Sequence, residues 1–122
     1  MTDLILPGDV DRRLIALSKE LDSACGALMH AEKEYMRAKT SYELSSAEAR
    51  MKAKQTAIER GAKITVQDCD DQSLLACRDE LTRLNAAEGT VKASRANNAR
   101  LRVQIDIARS VGASVRAAMD MG

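Results

Sequence analysis

The stretch ERGAKITVQD, residues 59–68, interrupts two long segments that share one pattern. On both sides of it apolar residues recur in steps of three and four, the spacing of a helix seam. Within it, Gly61 is a residue able to take the left-handed conformation that ends a helix. Thr65 followed by Asp68 has the form of a capping box with a carboxylate in the first turn of a new helix, and Ile64 and Cys69 occupy the staple positions. The segment reads as a helix end, a turn at about 61–65 and a helix start.

Working back from the turn, helix one is expected over about 9–60. The only proline, Pro7, stands in LPGDVDRR, where Gly8 and Asp9 mark a turn and an N-cap. The seam runs through Leu14, Leu17, Leu21, Ala24, Leu28, Ala31, Tyr35, Ala38, Tyr42, Ser45 and Ala49, and after the first turn large Leu21, Leu28, Tyr35 and Tyr42 alternate with small Ala24, Ala31, Ala38 and Ser45. Small residues in such a row accept the knobs of a partner helix and let it approach closely. Working forward, helix two is expected as one element over about 66–118, with a seam of Leu84, Ala87, Val91, Ser94, Asn98, Leu101, Ile105, Ala108, Gly112, Val115 and Met119. Leu74, Cys77 and Leu81 precede it slightly out of phase, which predicts a stutter. Asn98 on the seam has two readings, a buried register pin or a solvated pair with Asn97.

Both helices come out near ~50 residues, roughly 75 Å at the standard rise, with a connection short enough to make them antiparallel neighbours. The expected fold is all-α: a long antiparallel helical hairpin of coiled-coil type, one domain over residues 1–122. A hairpin this thin has little core. The chain is 45% hydrophobic but contains no Phe, no Trp and 2 Tyr, so alanine supplies much of that fraction. Ile15, Met29, Met36, Met51, Ile58, Leu75, Val103, Ile107 and Val111 lie off the seam and need cover. A homo-oligomer, either a helical bundle or a ring, is the expected way of supplying it.

Net charge is +1, so any electrostatic function must come from local asymmetry. Such asymmetry exists in helix two. Asp68 to Glu88 is mainly acidic, whereas Lys92 to Arg116 carries six basic residues against the single carboxylate Asp106. Arg95, Arg102, Arg109 and Arg116 stand seven apart and so share one helix face, drifting only slightly. One reading makes them flanking ion pairs. If the turn pivots near Lys63 and Ile64, Glu32 and Glu34 come near Arg95, and Glu20 and Asp22 approach Arg102 and Arg109, leaving Arg100 and Arg116 without evident partners. The other reading is a phosphate-tracking face, because the guanidinium fork matches phosphate oxygens. Arg50, Lys52, Lys54, Arg60 and Lys63 form a second basic cluster beside the turn, partly explained by the helix dipole.

No catalytic or cofactor signature is present. His30 has no deliberate-looking metal-ligand spacing, and there is no Gly-rich phosphate loop or nucleophile elbow. No enzyme activity, cofactor or metal is expected. Cys25, Cys69 and Cys77 are odd in number and lack a Cys-x-x-Cys pair, which fits reduced packing thiols in the cytoplasm. No apolar run is long enough for a membrane span, and MTDLILPGDV lacks the basic start and long apolar stretch of a signal peptide, so a soluble chain that is not secreted is expected.

The segment ARLRVQIDIARSVGASVRAAMDMG, residues 99–122, preceded by HAEKEYMRAKTSYELSSAEARMKAKQTAIER, residues 30–60, resembles small helical bacteriophage proteins of the UvsY recombination-mediator type. The resemblance lies in helical texture and in the ARS…SVRA ending. It implies an oligomer in the bacterial host cytoplasm that binds single-stranded DNA and assists a recombinase or annealing protein. The residues it would assign to nucleic acid are Arg95, Arg100, Arg102, Arg109 and Arg116. Near-neutral charge and the scarcity of aromatics are departures from what single-strand binding usually uses. The competing expectation is a protein-interaction module, a phage scaffold or an inhibitor of a host defence protein that lays a helix face in a groove.

Overall fold

A computed structural model describes residues 5–121. The protein is all-helical, 91% helix, with three helices packed together and no strand among the described residues. They are α1 (Pro7–Glu59), α2 (Val66–Ala76) and α3 (Arg78–Asp120). No helix among the described residues is long and apolar enough to cross a membrane.

The start of α1 differs from the expected N-cap at Asp9. The Leu6 carbonyl accepts from the Asp9 and Val10 amides at 3.0 and 3.3 Å, so the helix opens at Pro7. Proline suits this first position because its missing N–H would have had no helical partner. Asp9 caps from inside the first turn: its Oδ2 accepts the Leu6 amide at 3.1 Å, and its Oδ1 pairs with Arg12. The Leu6 amide, and then the Arg12 guanidinium, hold the Asp9 carboxyl below its usual range.

At the other end of α1, Gly61 has φ +66°, its amide bonds the Ile58 carbonyl at 3.1 Å, and the Ala62 amide reaches back to the Ala57 carbonyl at 2.9 Å. This double closure is a Schellman motif with glycine at the left-handed position. Thr65, extended at φ −81° and ψ 161°, then caps α2 by accepting the Asp68 amide on its hydroxyl. Cap chemistry on both sides of the turn is thus written in Gly61 and Thr65.

The chain forms two compact units, residues 1–29 with 92–122 and residues 30–91. In the first, Leu17, Ala24, Leu101 and Ile105 form the core, with Leu14, Leu21 and Ala108 packed against it. The helices run in opposite directions there, since Asp11 meets Arg116 at 2.8 Å while Arg13 approaches Gln104 at 3.5 Å. Gly112 is buried against Val10: a Cβ added to it would lie 2.9 Å from Val10 Cγ1. A close helix approach is therefore the reason for glycine at this position.

In the second unit the buried residues are small: Ala31, Ser46, Ala53, Ala57, Cys69, Ser73 and Cys77, with Val91 the largest. Ser46 and Ser73 hydroxyls lie 2.7 Å apart, and Ser73 Oγ also donates to the Ser46 carbonyl at 3.1 Å. A pivot at Lys63 and Ile64 would have set Ser46 against residue 81, eight residues further on. The cause of this correction is the loop. A non-helical residue can advance about 3.3 Å, whereas a helical one rises about 1.5 Å, so Ala62–Thr65 carries the chain back along α1 while using few residue numbers.

The expected single helix over 66–118 is also divided. Cys77 stands between α2 and α3 at φ −107° and ψ 22°, bonding the Ser73 carbonyl through its amide. Buried positions Cys69, Ser73 and Cys77 follow one another in steps of four, which drift around a helix of about 3.6 residues per turn. The interruption lets the apolar phase reset for Leu81 and Leu84, both half-buried, and is the form the predicted stutter takes. Leu74, expected on the seam, is instead 47% exposed.

Candidate interaction surfaces

The five arginines all belong to the first unit, but they do not act as one row. Arg116 Nη2 donates to Asp11 Oδ1 at 2.8 Å across the two helices, and Arg100 Nη2 donates to Asn97 Oδ1 at 2.8 Å on its own helix. Arg100 thus has a partner on its own helix, and Arg116 has Asp11, the residue that a pivot at Lys63 and Ile64 sets opposite it. Arg95 and Glu32 each take part in an interaction. Arg102 and Arg109 are exposed and make no ion pair or hydrogen bond among the described residues, and the same holds for Glu20 and Asp22.

Helical geometry explains the division. A heptad spacing slips by about 20° per repeat on a straight α-helix, which turns the row from Arg95 to Arg116 towards the buried side and brings Arg116 within reach of α1. Arg100, two residues before Arg102, lies on the other flank. There it lines a shallow groove with Lys19, Glu20, Ala27 and Asn97. The outward cationic group thus reduces to Arg102 and Arg109, with Asp106 between them at helical spacing from both.

Most seam residues occupy the interior, but Met119, expected at the end of the second seam, is 59% exposed. Val91, Asn98, Leu101 and Ile105 are buried, and Leu14, Leu21, Leu28, Tyr35, Tyr42 and Leu84 are half-buried. Asn98 is 6% exposed, and its Oδ1 has no hydrogen-bond partner among the described residues. Of its two readings the buried one applies, with an oxygen left unsatisfied.

A cleft of about 350 Å³ lies in the first unit, floored by Val10, Leu17 and Ala108 and walled by Ile5, Ile107 and Val111. Asp9, Arg13 and Gln104 supply its polar rim. Ile107 and Val111 were visible in the sequence as apolar residues off the seam, but Ile5 was not, because it precedes the helix. A second apolar surface follows the back of α1 in the other unit, where Met36, Leu44, Met51 and Ile58 are 56–77% exposed. Leu44 was missed among the off-seam apolar residues although it stands seven positions before Met51.

Three thiols are present. Cys69 and Cys77 are buried and Cys25 is half-buried. Burial, followed by the Glu80 and Glu48 carboxylates, raises the Cys77 thiol above its usual range and keeps it protonated and unreactive at neutral pH. Among the described residues no cluster of His, Cys, Asp and Glu is arranged to hold a metal ion; His30 is exposed. No known family, curated protein or solved structure matches the chain.

Proposed function

We propose that the protein works by binding rather than by catalysis, as a long antiparallel helical hairpin that associates with copies of itself and presents its remaining faces to a protein partner. The observation that carries this reading is the amount of large apolar side chain left outside. Met36, Leu44, Met51 and Ile58 on one face, and Ile5, Ile107 and Val111 around the cleft, are all at least 36% exposed. Contiguous apolar surface of this kind marks interaction sites, whereas scattered single residues do not. The free thiols fit a reducing cytoplasmic setting. Light scattering over a concentration series tests the reading: a defined oligomer is expected, and a chain that stays monomeric throughout would overturn self-association.

The second reading is the single-stranded DNA accessory role implied by the phage resemblance. It is supported by Arg102 and Arg109, both exposed and making no ion pair among the described residues, although Asp106 stands between them. Two outward arginines make a small phosphate site, so this role depends on an assembly that repeats them. Binding of a labelled oligonucleotide across a salt series tests it. Steep loss of binding with salt is expected if phosphate is the target, and no binding at low salt would remove the role.

A further inference from the structure

Met36, Leu44, Met51 and Ile58 follow one another on α1 in steps of eight, seven and seven. Two turns of α-helix take about 7.2 residues, so the four side chains form a straight stripe instead of winding around the helix. The stripe lies on the side of α1 away from buried Ser46, Ala53 and Ala57, and its members are 56%, 62%, 71% and 77% exposed. Ile58 at its end also lines a shallow pocket, with Ile64 and Val66 of the turn and α2.

The stripe is nearly the same read from either end. Ala47 stands at its middle, with Met36 and Ile58 equally far before and after it, and Leu44 and Met51 close on either side. A two-fold axis at Ala47 would place Met36 of one copy on Ile58 of another and Leu44 on Met51, with two alanines meeting at the centre where the helices must come closest.

The charges beside the stripe have the same symmetry. In a two-fold antiparallel pair, residues on one flank meet residues of that flank in the other copy. Glu43 and Arg50 share a flank and lie on opposite sides of Ala47, so each Glu43 would face Arg50 of the second copy, twice per dimer. Glu43 makes no ion pair or hydrogen bond among the described residues. Arg50 pairs with Asp70 through Nε at 3.3 Å, and its side chain is 49% exposed, open to a second carboxylate. The other flank contributes less, bringing Arg37 towards Glu59 of the second copy but also Glu48 towards its own counterpart. A parallel pair in register would set Glu43 level with Glu43 and lose the match.

From the palindromic apolar spacing and the self-complementary charges we infer that this face of α1 is the self-association surface, taken up by a second copy of the chain in antiparallel orientation about Ala47. The inference rests on the self-association proposed above and assigns it to one face. It leaves the cleft of the first unit open to a different partner.

The test uses the full-length chain. Leu44→Asp with Met51→Asp adds carboxylates to an exposed face, so the helical circular dichroism should stay unchanged while the mass measured by light scattering falls by at least half. Ala47→Cys, under mild oxidation, should give a disulfide-linked dimer that the wild type does not form. An oligomeric wild type whose mass survives the double substitution, or whose Ala47→Cys form gives no crosslink, would overturn this surface and leave self-association standing. A monomeric wild type would overturn both.

Discussion

Ser46 and Ser73 meet hydroxyl to hydroxyl at 2.7 Å in the buried part of the second unit, where most other interior residues are alanine or cysteine. Because the Ser73 hydroxyl donates to the Ser46 carbonyl, the Ser46 hydroxyl is the donor between the two, and removing Ser73 alone is worse than removing both. Ser73→Ala should strand the Ser46 hydroxyl and cost about 1–3 kcal/mol, while Ser46→Ala with Ser73→Ala should be nearly neutral. Urea unfolding of the two single variants and the double variant gives the cycle. Additive losses would mean that the pair is not coupled.

Gly112 and the other helical glycines should respond in opposite directions. An added Cβ meets nothing within 4 Å at Gly26 and Gly89, but lies 2.9 Å from Val10 at Gly112. Gly26→Ala and Gly89→Ala should each stabilise by about 0.5–1 kcal/mol through helix propensity. At Gly112 the same gain is outweighed by overpacking of about 1–3 kcal/mol, because Val10 is short and branched and cannot swing away. Thermal unfolding should show Gly112→Ala melting below wild type, with Val10→Ala in the same chain recovering part of the loss.

Asn98 keeps an unsatisfied oxygen at 6% exposure. Asn98→Leu should raise stability by about 1 kcal/mol, since an unpaired buried polar group costs that much or more. If the residue also fixes the pairing of α1 with α3, the variant should show broadened or doubled amide resonances despite its higher melting temperature. A lowered melting temperature would indicate that the oxygen is satisfied in solution.

Acid sensitivity should begin near the start of α1. The Asp9 carboxyl titrates below its ordinary 3.8 in the folded chain, because ionisation is favoured by the Leu6 amide and Arg12. Stability from this group is therefore fully present above the unfolded value and is lost as pH falls through the lower, folded one. Asp9→Asn should be less stable than wild type at neutral pH and should lose less on acidification over that range. Parallel melting curves at pH 7 and pH 3 measure the difference.

Replacing Arg102 and Arg109 together with alanine should abolish salt-sensitive oligonucleotide binding if DNA is a ligand, with helical signal and oligomer mass unchanged. Arg116→Ala should act differently, since it breaks the Asp11 pair, exposed at 54% on both sides. Its stability effect is expected within about 0–1 kcal/mol. Equal loss of binding from all three changes would restore the picture of one continuous row.

The helices and the turn were legible because their signals are local. Gly61 and Thr65 announce a helix end and a cap without reference to anything distant, and three-four spacing locates the buried face of α1 over most of its length. The pairing of the two halves was not legible, because it depends on the distance covered by the non-helical residues Ala62–Thr65. That shift changed the expected ion pairs. The break at Cys77 was signalled only as a change of phase, whereas Asp11 already stood opposite Arg116 on the pivot at Lys63 and Ile64 and went unnoticed as its partner.

The turn also sets the order in which the chain is easiest to assemble. The Ser46–Ser73 contact closes a separation of 27 residues, whereas Asp11–Arg116 closes one of 105. Loop closure becomes more demanding with length, by about 0.6 kcal/mol per doubling. Folding should therefore start beside the Schellman turn, and each closed pair should shorten the loop for the next. The first unit, holding both ends of the chain, is then the last to form and the first to exchange its amide protons.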